Sequence, residues 1–219
     1  MSASLEQRWR ELQADWPTGA KLLAVSKGHP AESIRTLAGL GQLDFGESRL
    51  QEARPKQESL ADLTLRWHFI GRLQSNKVRA VVRTFSVIHS VDSLPLAERI
   101  ARISQEEGHR PKLFLQVKLR EDPTKGGWSM SALEESCEQL LGLSGVSIIG
   151  LMTMAPQELP LDGRIRLFQE CRALADRFDL PECSMGMSGD WRQAAAAGAT
   201  WLRLGSVLFG ARLRQASAG

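Results

Sequence analysis

The chain of 219 residues contains no tyrosine, three cysteines and four histidines. None of its apolar runs reaches the ~18 positions of a membrane-spanning helix. Each shortage excludes something. Without tyrosine, no phenolic base is available to any reaction assigned to this sequence. Cys137, Cys171 and Cys183 are odd in number and lack C-x-x-C spacing, which argues against a disulfide framework or a zinc site and fits a reducing compartment. His29, His68, His89 and His109 are widely separated, so they read as isolated core or surface residues rather than metal ligands. The first fifteen residues are polar and include acids. Neither a secretory signal nor a membrane association is therefore expected, and a cytoplasmic location is. A bias to one charge is missing too: 28 Lys and Arg face 25 Asp and Glu, a net of +3, with the arginines scattered. Nucleic-acid binding is not expected.

What is present is apolar content of 42%, enough for a sizeable core. The length suits one large domain or two small ones. Short β-rich runs alternate with helical patterns. Expected strands are Lys21–Ser26, Leu43–Phe45, Leu65–Ile70, Ser86–Val91, Leu113–Leu119, Ser147–Met152, Cys183–Met185 and Thr200–Leu204. Helical segments follow at Pro30–Leu40, Ser48–Leu60, Gln74–Val82, Pro95–Gln105, Met130–Leu141, Leu161–Phe178 and Trp191–Ala197, and a terminal segment follows the last strand. Eight strands, each followed by a helix or helical turn, predict an α/β fold: a single-domain (β/α)8 TIM-type barrel over residues 1–219, with an extra N-terminal helix at Leu5–Leu12. An open doubly wound sheet is the alternative. The absence of an evident apolar patch fits a monomer.

In such a barrel, function sits where the strands end. Strand one ends at Ser26-Lys27. A lysine there either reaches solvent or, desolvated, becomes the neutral amine that forms Schiff bases. After strand seven, Gly186-Met-Ser188-Gly-Asp190 leads into a helix with Asp190 as its expected N-cap. After strand eight come Gly205 and Ser206, so backbone N–H groups at two adjacent turns form a candidate phosphate cradle. These residues also make ordinary turns. Arg203 lies two positions before Gly205, so both face the barrel interior. A Schiff-base lysine facing a phosphate site suits either a phosphorylated carbonyl substrate, as in a lysine aldolase, or pyridoxal 5′-phosphate (PLP). Glu47 and Asp92 read as isolated carboxylates that cap turns.

Nearly the whole chain resembles the pyridoxal phosphate homeostasis proteins. The matching segments are Leu22–Lys27, Phe45-Gly-Glu47, Trp67–Gly71 with Leu73-Gln74 and Asn76-Lys77, Thr124-Lys125-Gly126, Gly150–Met152, Ser184–Ser188 with Asp190, and Arg203–Ser206 with Phe209-Gly210. The resemblance implies a barrel like the N-terminal domain of alanine racemase, with PLP as a Schiff base on Lys27. It implies that Ser188, Gly205 and Ser206 hold the phosphate and that Arg203 faces the pyridine nitrogen. It further implies a carrier or buffer in PLP (vitamin B6) homeostasis, serving PLP-dependent apoenzymes, with no established reaction. Three positions depart from the family pattern: Ser48 replaces an asparagine, His29 a second lysine and Arg192 an acid. Lys125 matches a family lysine and reads either as a second cofactor-handling amine or as a solvated loop residue. A PLP-dependent racemase is the enzymatic alternative. The alanine racemase type needs a tyrosine base and a second domain, and this sequence has no tyrosine and is too short for that domain.

Overall fold

The computed structural model describes residues 3–122 and 125–211, so Thr124 lies outside the described residues. Eight parallel strands among them close into a barrel in chain order. They are β1 (Lys21–Val25), β2 (Asp44–Glu47), β3 (Arg66–Phe69), β4 (Val87–Val91), β5 (Lys112–Gln116), β6 (Ser147–Met152), β7 (Glu182–Ser184) and β8 (Trp201–Leu204). The open-sheet alternative is overturned by the pairing of β8 with β1, in register from Lys21↔Trp201 to Ala24↔Leu204. Helix α1 (Leu5–Ala14) precedes β1, and α2 (Ala31–Gly39), α3 (Leu50–Ser59), α4 (Val78–Thr84) and α5 (Leu94–Glu107) follow β1 to β4. The circuit is completed by α6 (Met130–Leu141), α7 (Leu161–Arg177), α8 (Trp191–Ala196) and α9 (Ser206–Phe209). None of the described helices is long and apolar enough to cross a membrane.

Strand alternation splits the apolar residues into two concentric cores. On β1, Leu22 and Ala24 join the outer cluster between strands and helices, while Leu23 points inward. The inner cluster contains Leu23, Val87, Phe114, Met152 and Trp201. Full burial of each such side chain contributes about 1.5–3 kcal/mol relative to exposure.

Local departures from the expected elements have physical causes. β5 ends at Gln116 rather than Leu119, because Val117 pairs with Trp128 as the following loop folds back. The helix expected from Gln74 begins as a 3-10 turn, Ser75–Lys77, before α4. The terminal segment forms α9, a single turn.

Candidate functional site

The carboxyl ends of the strands surround a cavity of about 430 Å³. Lys27, Ser188, Arg203, Gly205 and Ser206 all line it. Two of the departing positions, His29 and Ser48, line it as well. The His29 ring stacks on Phe209, centroids 4.7 Å apart. Arg192 instead lies on the surface, paired with Asp15 at 2.6 Å and stacked over Trp191. Lys125 is not among the cavity residues. It pairs with Asp122 at 3.1 Å and donates to the Ala155 carbonyl at 3.4 Å.

The backbone on both sides of Lys27 is fastened by a buried ion network. Lys56 Nζ on α3 donates to the Ser26 carbonyl (2.9 Å), to Glu47 Oε1 (2.7 Å) and to Glu52 Oε1 (2.8 Å). Ser26 Oγ donates to Glu47 Oε1 at 2.7 Å, and the Gly28 N–H donates to Glu52. Gly28 takes φ +76°, a conformation that glycine adopts without strain. Glu47 is therefore not an isolated turn cap: it is fully buried, and burial pushes its carboxyl above the usual range against the pull of Lys56 and Ser26. Its Oε2 has no partner among the described residues. The Glu52-x-x-x-Lys56 spacing was the available sequence signal for this network.

On the opposite wall, two turns meet. The Val207 N–H donates to Ser188 Oγ at 3.4 Å, tying the β7–α8 turn to α9. Among the described residues, the N–H groups of Ser188, Gly189, Gly205 and Ser206 have no protein acceptor. The two glycines that flank this wall are kept for different reasons. At Gly186 (φ +85°) a Cβ would come within 2.5 Å of Ala194 Cβ, so packing requires glycine. At Gly205 a Cβ would sit in ordinary contact, 3.5 Å from the Val25 carbonyl oxygen, so packing within the protein does not itself require glycine there. Asp190 occupies the N-cap position of α8 but does not cap it with its side chain. Its Oδ1 instead accepts from the Met187 N–H at 2.7 Å, which tightens the turn carrying Ser188.

Arg203 forms the cavity floor. Nη1 donates to the Ser184 carbonyl (2.6 Å) and Ser184 Oγ (2.8 Å), and Nη2 donates to the Thr153 carbonyl (2.8 Å). Burial lowers its pKa to about 10, against the pull of Asp190, so it stays charged at neutral pH. His68 and His89 are not isolated: their ring nitrogens meet at 2.9 Å inside the barrel.

A family model described as alanine racemase, N-terminal domain, matches residues 2–213. A pyridoxal phosphate homeostasis protein of Synechocystis sp. PCC 6803 is 45% identical over 212 residues, covering 94% of this chain and 97% of that protein. The structure of PipY from Synechococcus elongatus PCC7942 with PLP bound matches at TM-score 0.91 and 46% identity, covering 94% of this chain and 100% of that one. An alanine racemase of Clostridium difficile 630 shares the fold at TM-score 0.77 and 16% identity, covering 97% of this chain and 57% of that one. With close relatives matched over nearly their whole length, the chain belongs to the pyridoxal phosphate homeostasis protein family, within the alanine racemase N-terminal domain family.

Proposed function

We propose that this chain binds PLP in the barrel-mouth cavity as a Schiff base on Lys27. In this reading it is a single PLP-binding domain over residues 1–219, a cytoplasmic monomer that carries or buffers the cofactor for PLP-dependent apoenzymes without turning over a substrate. One observation carries it: an amine, a set of acceptorless N–H groups and a buried guanidinium line one cavity. PLP presents the matching groups, an aldehyde, a phosphate and a ring nitrogen. Its aldehyde condenses with a lysine amine, with loss of water. Ser188, Gly205 and Ser206 would hold the phosphate through hydroxyl and backbone donors, and the lack of a side chain at Gly205 allows a close approach of its backbone. Arg203 would donate to the ring nitrogen and leave it unprotonated, which weakens the ring as an electron sink. That weakness and the lack of tyrosine support a carrier over a racemase.

The test is spectroscopic. Purified protein is expected to be yellow, Lys27→Ala to be colourless, and borohydride to fix pyridoxyl mass on the peptide holding Lys27. A wild-type protein that stays colourless after incubation with PLP would overturn the cofactor reading in favour of a lysine aldolase. Sustained inversion of L-amino acids by the yellow protein would overturn the carrier reading.

A further inference from the structure

The interior of an eight-stranded barrel is ordinarily filled by layers of branched apolar side chains. Here a line of polar groups crosses it. Arg203 Nη1 donates to Ser184 Oγ, which lies 2.9 Å from His89 Nδ1. His89 Nε2 lies 2.9 Å from His68 Nδ1, and His68 Nε2 lies 3.0 Å from Asp44 Oδ1. Arg66 closes the far end, its Nε donating to Asp44 Oδ1 at 2.7 Å and its Nη2 to Oδ2. The line runs from β8 through β7, β4 and β3 to the first residue of β2, and so from the cavity floor to the opposite end of the barrel. His68, His89 and Ser184 are fully buried. Phe114 stacks on His89 at 4.4 Å, and Trp201 packs on His68 at 4.9 Å, so neither ring has room to turn away.

The donors and acceptors along this line fit in one direction. A neutral imidazole has one N–H and one lone pair. The Asp44 carboxylate can only accept, so His68 carries its hydrogen on Nε2 and accepts at Nδ1. His89 then donates from Nε2 and accepts at Nδ1, which draws the Ser184 hydroxyl hydrogen. Ser184 Oγ is left with lone pairs for Arg203. The reverse order would set a bare His68 Nε2 against the Asp44 carboxylate, two acceptors face to face.

Resting on the PLP reading above, we infer that Asp44, His68, His89 and Ser184 are positioning residues that act through Arg203. They form a polarised relay that fixes the guanidinium under the cofactor ring from the far end of the barrel. The relay turns the Ser184 hydroxyl hydrogen toward His89 and its lone pairs toward Arg203, and hydrogen bonds in such a chain strengthen one another. Nη1 is thereby pinned on the relay while the Thr153 carbonyl holds Nη2, and the orientation of the fork toward the cavity follows.

Two experiments test this. In the apoprotein, imidazole ¹⁵N NMR is expected to show His68 and His89 both neutral with the hydrogen on Nε2; an Nδ1–H form of either would overturn the relay. In the full-length protein loaded with ring-¹⁵N PLP, His89→Phe and Ser184→Ala are expected to shift the ring-nitrogen resonance and to weaken PLP binding on the order of tenfold. Asp44→Asn keeps an acceptor but removes the charge, so it should shift the resonance in the same direction by less. A ring-nitrogen resonance unchanged from wild type in folded, loaded His89→Phe and Ser184→Ala would reduce the line to core packing and overturn the inference. Should His89→Phe not fold, Ser184→Ala, which removes one oxygen, decides by the same resonance. A wild-type protein that never takes up PLP overturns the cofactor reading, while the apoprotein tautomers still decide whether the relay exists.

Discussion

A lysine ammonium buried against a fully buried carboxylate holds its place because each charge offsets the other's desolvation. Lys56 does this for Glu47 and at the same time ties Glu52 and the Ser26 carbonyl, so one side chain braces the turn that presents Lys27. Removing the cation leaves Glu47 buried without a countercharge, the costly way to break such a pair. Lys56→Met is therefore expected to destabilise the protein by about 3 kcal/mol in urea unfolding at pH 7. Glu47→Gln, which can still accept from Ser26 and Lys56, should cost clearly less. Equal losses in the two variants would show that the network does not depend on the Glu47 charge. At this scale the sequence displayed the cavity groups better than their supports. Lys27, Ser188, Arg203, Gly205 and Ser206 stand at strand ends, where a barrel exposes whatever they carry. Lys56 stands in the middle of α3, beside Pro55, where an i,i+4 pair with Glu52 looks like a solvated helix face. Its burial arises only when α3 packs over the ends of β1 and β2.

Among the α-helices, the shortest needs the most support. An isolated turn such as α9 does not persist by itself, since nucleating a helix costs more than one hydrogen bond returns. Its closing carbonyls are held from outside: Arg8 on α1 donates from Nε to the Leu208 carbonyl (2.7 Å) and from Nη2 to the Phe209 carbonyl (2.9 Å). The N-terminal helix thus clamps the turn that carries Ser206. Arg8→Ala should leave the barrel intact, speed amide hydrogen exchange at Val207 to Gly210, and weaken PLP binding roughly threefold to tenfold. Unchanged exchange in that segment would show that α9 is held by packing alone. The helix at Leu5–Leu12 was legible from its pattern, because Ser4 caps it and its apolar residues repeat on one face. Its partner was not, since the ion-like contacts of Arg8 span 200 residues of sequence. The overshoot of β5 has a similar origin. Leu113 to Leu119 alternates well enough for a longer strand, but the Trp128 ring buries itself and donates from Nε1 to the Val91 carbonyl at 2.9 Å, drawing the chain off the barrel after Gln116.

For the whole molecule, composition announced a core but not that it is two cores with a polar column through the inner one. His68 and His89 are 21 residues apart and look unrelated in sequence. They meet because β3 and β4 are neighbours and both residues fall on inward-facing positions of their strands. That arrangement gives the stability a pH dependence whose sign can be worked out. Burial lowers the pKa of both rings; the Asp44 carboxylate partly opposes this at His68, and the Arg203 charge adds to it at His89. In the unfolded chain both titrate near ~6.5. As pH falls below that value the unfolded chain binds protons that the folded one refuses, so stability is present above it and is lost on acidification. Each refused proton contributes a slope of at most about 1.4 kcal/mol per pH unit. Between pH 6 and 5 this slope should dominate, because the carboxylates other than Glu47 titrate lower and the raised Glu47 carboxyl offsets only part of it. Urea unfolding at pH 7.5, 6 and 5 is expected to show that fall in the wild type and a shallower one in His89→Phe, which keeps a ring against Phe114 but has nothing to protonate. An equal slope in the two proteins would mean that His89 takes up its proton in the folded barrel, which the directed hydrogen bonds on both of its nitrogens forbid.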